Sequence, residues 1–186
     1  MIILGVDPGS RKAGFALIEL HGKKINYITS GVMKYDDVDE FVDRLGHIYD
    51  SCEELIRGHA PAEIAIESLI YVKSVTSLAK LAQARGAMIA AFMKTNKGKV
   101  FEYSPNLIKS TVTGHGHATK ESVDKALTMI FGKIEFKTHD ESDALAIAVC
   151  HALSRDIKIV TNKKAIHSSK SRSLKSVFAH KIQEKR

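Results

Sequence analysis

The sequence predicts an α/β fold, a mixed five-stranded sheet flanked by helices on both faces. Two patterns carry that prediction. Three extended segments follow one another at 2–7, 14–21 and 25–34, with Gly22-Lys23 supplying the hairpin turn between the last two. Beyond them the period alternates: a helix at 37–57, a strand at 62–67, a helix at 75–95, a strand at 99–103, then helices near 105–112, 119–131 and 139–155. Strands in succession pair antiparallel, whereas strands separated by helices pair parallel and need helices to cover them.

Each element has a local reason. Ile2-Ile3-Leu4-Gly5-Val6 is apolar throughout, as a doubly buried strand is, and Asp7 closes it before Pro8-Gly9-Ser10. Ile64-Ala65-Ile66 repeats the pattern and ends on Glu67. The 37–57 helix carries Val38, Phe41, Val42, Leu45, Ile48 and Leu55 at helical spacing, and Gly58 is placed to end it. The 75–95 helix is apolar nearly all round through Leu78, Leu81, Ala84, Met88, Ala91 and Phe92, so it must be buried on two sides. One side can cover the sheet; the other can meet the same helix of a second subunit across a two-fold axis, or be sandwiched within one domain. A dimer of that kind predicts that a charge at Met88 or Ala91 gives monomers. The last helix, apolar through Ala144-Leu145-Ala146-Ile147-Ala148-Val149, follows Thr138-x-x-Glu141, which fits a capping box.

With 186 residues, 44% hydrophobic and 26% charged, the chain suits one soluble domain with a sizeable core. Its two cysteines, Cys52 and Cys150, lie in separate predicted helices and read as free thiols of a reducing compartment. No secretory signal opens the sequence, and no apolar run approaches the ~20 residues that span a bilayer. A cytoplasmic location is the simplest expectation.

The net charge of +7 is uneven: residues 154–186 hold ten Lys/Arg against two acids, leaving 18 against 19 before them. The division expected is a domain at 1–155 and a basic, flexible tail at 156–186. Such an arm either contacts a polyanion such as nucleic acid or only adds solubility.

Four acids stand where a buried element meets a turn or begins a helix: Asp7, Glu67, Asp140 and Asp143. Carboxylates gathered in a partly buried site repel one another and lose hydration, so they persist mainly by binding cations. Asp140 alone also fits helix-start chemistry, and Asp7 before Pro8-Gly9 fits a turn. Glu67 resists such an explanation, because its strand is apolar on both faces. The i, i+3 spacing of Asp140 and Asp143 sets both on one helix face.

The element order resembles the ribonuclease H-like fold. Leu4-Gly5-Val6-Asp7-Pro8-Gly9-Ser10-Arg11, Ala65-Ile66-Glu67, Leu81-Ala82-Gln83-Ala84-Arg85-Gly86 and Asp140-Glu141-Ser142-Asp143-Ala144-Leu145-Ala146 resemble, in order and spacing, the RuvC Holliday-junction resolvases over about residues 1–153. The resemblance implies a homodimeric, metal-dependent endonuclease that resolves four-way DNA junctions by paired symmetric nicks in recombination and repair, beside a branch-migration helicase complex. Asp7, Glu67, Asp140 and Asp143 would then be both catalytic residues and metal ligands, with Asp7 bridging two ions ~4 Å apart. An oxygen-only donor set favours Mg²⁺, with Mn²⁺ as substitute. His139 reads as a neighbour of the site.

For DNA, Ile70 aligns with an aromatic position at the junction centre of related resolvases, and Tyr71 one step on can stack on an unpaired base or cover the core edge. Lys73 lies in the same segment, and Lys109 and Lys120 match basic positions of the family's DNA surface. Gly114-His115-Gly116-His117 reads as a flexible loop with exposed histidines. Alternative readings are a ribonuclease H-like nuclease acting on RNA, a sugar-kinase-like nucleotide-binding module, for which the chain is short, and a non-catalytic junction-binding protein.

Overall fold

The computed structural model describes residues 1–69 and 74–165. Strands β1 (Ile2–Asp7), β2 (Lys12–His21) and β3 (Lys24–Lys34) come first, followed by α1 (Phe41–His59), β4 (Glu63–Glu67), α2 (Val75–Thr95), β5 (Val100–Tyr103), α3 (Pro105–Thr113), α4 (Lys120–Phe131) and α5 (His139–Ala165). Among the described residues these strands form one five-stranded sheet in the order β3-β2-β1-β4-β5. The first three strands pair antiparallel, whereas β1 with β4 and β4 with β5 are parallel. Gly22 takes the left-handed conformation, φ 59°, that the tight β2–β3 connection needs.

Strand parity assigns the two cores. Leu4, Val6, Ala13, Leu17, Ile64 and Ile66 point to one face, where α1 and α2 close over them. The opposite parity, Ile3, Ala16, Ile18 and Ala65, packs against α3, α4 and α5. Asp7 and Glu67 share that second parity, so both carboxylates emerge on the α5 face of the sheet, one register step beyond the pair Val6↔Ile66.

Glycine lets α5 lie on the sheet backbone. A Cβ at Gly5 would stand 2.2 Å from the Ala144 carbonyl oxygen, and one at Gly14 would stand 2.0 Å from that of Asp140. The helix start is held by the Glu141 carboxylate, which accepts the Thr138 backbone N–H at 3.2 Å, the reciprocal arm of the expected capping box. Ser74, Ser104 and Thr119 cap α2, α3 and α4, and Pro105 occupies the first turn of α3.

Three expectations change. Helix α1 starts at Phe41 rather than 37, leaving Val38 before it, and runs through Gly58 to His59, because Ala60 takes the left-handed conformation (φ 44°), its N–H bonds Ile56 O, and Pro61 follows. The backbone of α5 stays helical to Ala165 rather than 155, since residues 156–165 contain neither Gly nor Pro. Met88 and Ala91, expected at a subunit contact, are 0% and 1% exposed within this chain's own core. The outward face of α2 carries Ala79, Gln83, Gly86, Ala90 and Met93 instead.

Residues Met1–Ser154 make one compact unit, and the chain from Arg155 clusters separately. No helix among the described residues is long and apolar enough to cross a membrane. Cys52 and Cys150 are both buried, and burial pushes the Cys52 thiol up to about 12.

Candidate active site

At the carboxyl ends of β1 and β4 lies a cavity of about 240 Å³ lined by Asp7, Glu67 and Asp143, with Lys109 and Lys120 on its basic side. Pro105, Ile108, Val123, Ala146 and Ile147 form its apolar wall. Each acid arrives by a different route: Asp7 and Glu67 by strand parity, and Asp143 as the residue one turn into α5 that faces the sheet.

The electrostatics follow from burial. The Asp7 carboxyl is pushed up to about 7, first by desolvation and then by Glu67, Asp143 and Asp140; Lys120 only partly opposes this. Glu67 is raised for the same reasons, by burial and by Asp143, against the pull of Lys109. The remaining two acids are paired with lysines. Lys120 Nζ donates to Asp143 Oδ2 at 2.7 Å, and Lys12 Nζ stands 2.5 Å from Asp140 Oδ2. Asp140 sits beside the cavity rather than on its lining, near enough to raise Asp7. In this arrangement no group of three or more His, Cys, Asp or Glu among the described residues is drawn together around one point that could hold a metal ion.

His139 is exposed and lines a different depression with Asp124 and Thr138. Ile70, Tyr71 and Lys73 lie outside the described residues, as does the chain after Ala165. His115 and His117 are exposed, as expected.

Several residues that shape the site carried no role in the sequence reading. Arg85, buried on α2, donates Nε to the Glu67 backbone carbonyl at 2.9 Å and pairs Nη2 with Glu102 at 2.9 Å, which fixes the end of β4. Its signal was an arginine inside an apolar helix. Lys12 had no such signal, because its partner lies far along the chain. Gly14 had none either, because the backbone that requires glycine there is Asp140 of α5.

Residues 3–151 match the family described as crossover junction endodeoxyribonuclease RuvC. The protein of that name from Sinorhizobium fredii is 38% identical over 164 residues, 88% of this chain and 94% of that one. Thermus thermophilus RuvC, solved in complex with a Holliday junction substrate, superposes with TM-score 0.77 at 28% identity, covering 85% of this chain and 96% of that one. The yeast mitochondrial Holliday junction resolvase Ydc2 shares the fold, with TM-score 0.60 at 16% identity over 86% of this chain and 83% of that one.

Proposed function

The chain belongs to the RuvC family of crossover junction endodeoxyribonucleases, and we propose that it resolves four-way DNA junctions by paired symmetric nicks, with Asp7, Glu67, Asp140 and Asp143 as its metal-binding catalytic acids. The observation that supports the assignment of residues is a single cavity whose lining includes Asp7, Glu67 and Asp143 beside two lysines. An oxygen-only donor set, with the Asp7 carboxyl pushed up to about 7 by burial and then by the neighbouring acids, fits a hard divalent cation. Mg²⁺ is the proposed ion, two per site, with Mn²⁺ as substitute. When bound, such ions supply activation of the attacking water and stabilisation of the leaving 3′ oxygen.

The chain's own residues do the rest. Asp7 and Glu67, fixed by the sheet, set the position of the site. Asp143 and Asp140 complete it once their lysine partners turn to the phosphates. Lys120 and Lys109 flank the cavity and neutralise the backbone being cut, which orients the strand without reading its sequence. The apolar wall limits water at the reacting phosphate.

Paired nicks need two sites, and a homodimer through the outward face of α2 provides them. Ile70, Tyr71 and Lys73 are proposed at the junction centre, the segment after residue 155 as a basic arm on the DNA, and a branch-migration helicase as partner in the cytoplasm. The test is incubation of the purified protein with labelled four-way DNA, linear duplex DNA and RNA duplex, with Mg²⁺ or with chelator. Mg²⁺-dependent cutting of the four-way DNA alone is expected. Preferential cutting of RNA would favour the other nuclease reading, and binding without cutting a non-catalytic one.

A further inference from the structure

Glu141 is an acid that the metal site does not use, and it is buried, 5% exposed, between Asp140 and Asp143. A carboxylate of a capping box satisfies a backbone N–H at the helix start and ordinarily remains in solvent. Here only one oxygen does so. The other, Oε2, accepts a hydrogen bond at 2.9 Å from the Ser30 hydroxyl on β3, a residue 111 positions away. The Ser30 oxygen is in turn 2.9 Å from the Tyr27 hydroxyl, and the Tyr27 ring meets Phe131 at the end of α4 edge-on, with centroids 6.4 Å apart. The first turn of α5 is therefore tied to the far edge of the sheet by a chain of side chains, on the same strand row as Ala16 and Gly5.

We infer that Glu141 is a positioning residue: through Ser30 it fixes the rotation of α5 so that Asp143 faces the cavity and Asp140 stays beside it. This rests on the proposed assignment of those two acids. A helix turns about 100° per residue, so even a fraction of that rotation carries both carboxylates away from Asp7 and Glu67. The glycine contacts at Gly5 and Gly14 set how close α5 lies to the sheet, and the buried side chains from Ala144 to Cys150, with His151 bonded to Tyr103 and Glu63, hold its middle. The Ser30–Glu141 bond adds a directional tie at its first turn, where Asp140 and Asp143 lie. Side chains that hold ligands in place in this way typically change metal affinity or activity by about 10–100-fold when lost.

The experiment uses the full chain and compares Glu141→Ala, Glu141→Gln and Ser30→Ala with wild type. Single-turnover cleavage of a four-way junction, junction affinity in chelator, and the Mg²⁺ concentration that raises Tm are measured for each. Glutamine keeps both bonds, accepting from Thr138 and donating to Ser30. Glu141→Ala is expected to cut about tenfold or more slowly and to need severalfold more Mg²⁺ in the Tm titration, with junction affinity within about twofold. Glu141→Gln should stay within about threefold of wild type, and Ser30→Ala should fall between. Wild-type rate and Mg²⁺ titration in Glu141→Ala, or an equal defect in Glu141→Gln, overturns the inference. If Glu141→Ala does not fold, Ser30→Ala decides, and wild-type behaviour in both measurements overturns it. Failure of wild type to cut the junction at all would count instead against the resolvase assignment.

Discussion

The Gly14 backbone touches the Asp140 carbonyl: a Cβ placed on Gly14 would lie 2.0 Å from that oxygen. Strand and helix are thus in direct backbone contact beside the cavity of Asp7, Glu67 and Asp143. Gly14→Ala must push α5 outward, costing about 2 kcal/mol or more by overpacking and moving Asp140 and Asp143 together. Urea denaturation and junction cleavage are both expected to show the loss. Wild-type stability in Gly14→Ala would mean that α5 tolerates a shift, and the close approach would lose its significance.

Asp7 gives a pH prediction whose sign can be worked out. Its carboxyl titrates near 3.8 when unfolded and at about 7 in the metal-free fold, so between those values the folded state binds more protons. The contribution of Asp7 to the stability of the metal-free protein therefore falls as pH rises from about 4 to 7 and stays low above. Asp7→Asn removes that destabilisation. At pH 8 in chelator it should be more stable than wild type by on the order of 1–2 kcal/mol, a few degrees in Tm, with no difference near pH 4. Mg²⁺ should raise the Tm of wild type and raise that of the variant less. Thermal unfolding across pH checks this, and a variant less stable at pH 8 contradicts it.

The two faces of α2 allow stability and the proposed dimer contact to be tested separately. Met88→Ala opens a cavity in the core and is expected to cost about 2–5 kcal/mol without changing subunit number. Ala90→Glu, on the exposed face, should leave the monomer folded by circular dichroism and yield monomers in sedimentation, because a charge entering an apolar contact loses its hydration. A dimeric Ala90→Glu would place the subunit contact elsewhere.

The element order, the mixed sheet and the strand-end acids were legible from the sequence because they rest on local signals: period two in strands, period 3.6 in helices, and an acid closing an apolar run. That Asp7 and Glu67 fall side by side is a property of the ribonuclease H-like fold the chain resembles rather than of any local pattern. What the sequence concealed depends on distant partners. Helical periodicity in α2 marks Met88 as apolar but does not say whether a sheet or a second subunit covers it. Gly58 has the composition of a helix stop, yet the stop is set by Ala60 and Pro61 just beyond it. The Ser30–Glu141 bond spans 111 positions, so Glu141 looked like capping chemistry alone.

The central claim, that the acids around this cavity cut DNA but do not hold it, is tested most directly with Glu67→Gln. Single-turnover cleavage of a labelled four-way junction in Mg²⁺ is measured beside junction affinity in chelator. Removing one ligand charge should raise the barrier by roughly 4 kcal/mol, about a thousandfold in rate. Asp7→Asn and Asp143→Asn are expected to behave alike. Junction affinity should stay within about threefold of wild type, because the phosphate contacts proposed for Lys109 and Lys120 on the cavity rim are left in place. Near-normal cleavage by Glu67→Gln, or loss of binding in step with cleavage, would contradict the account.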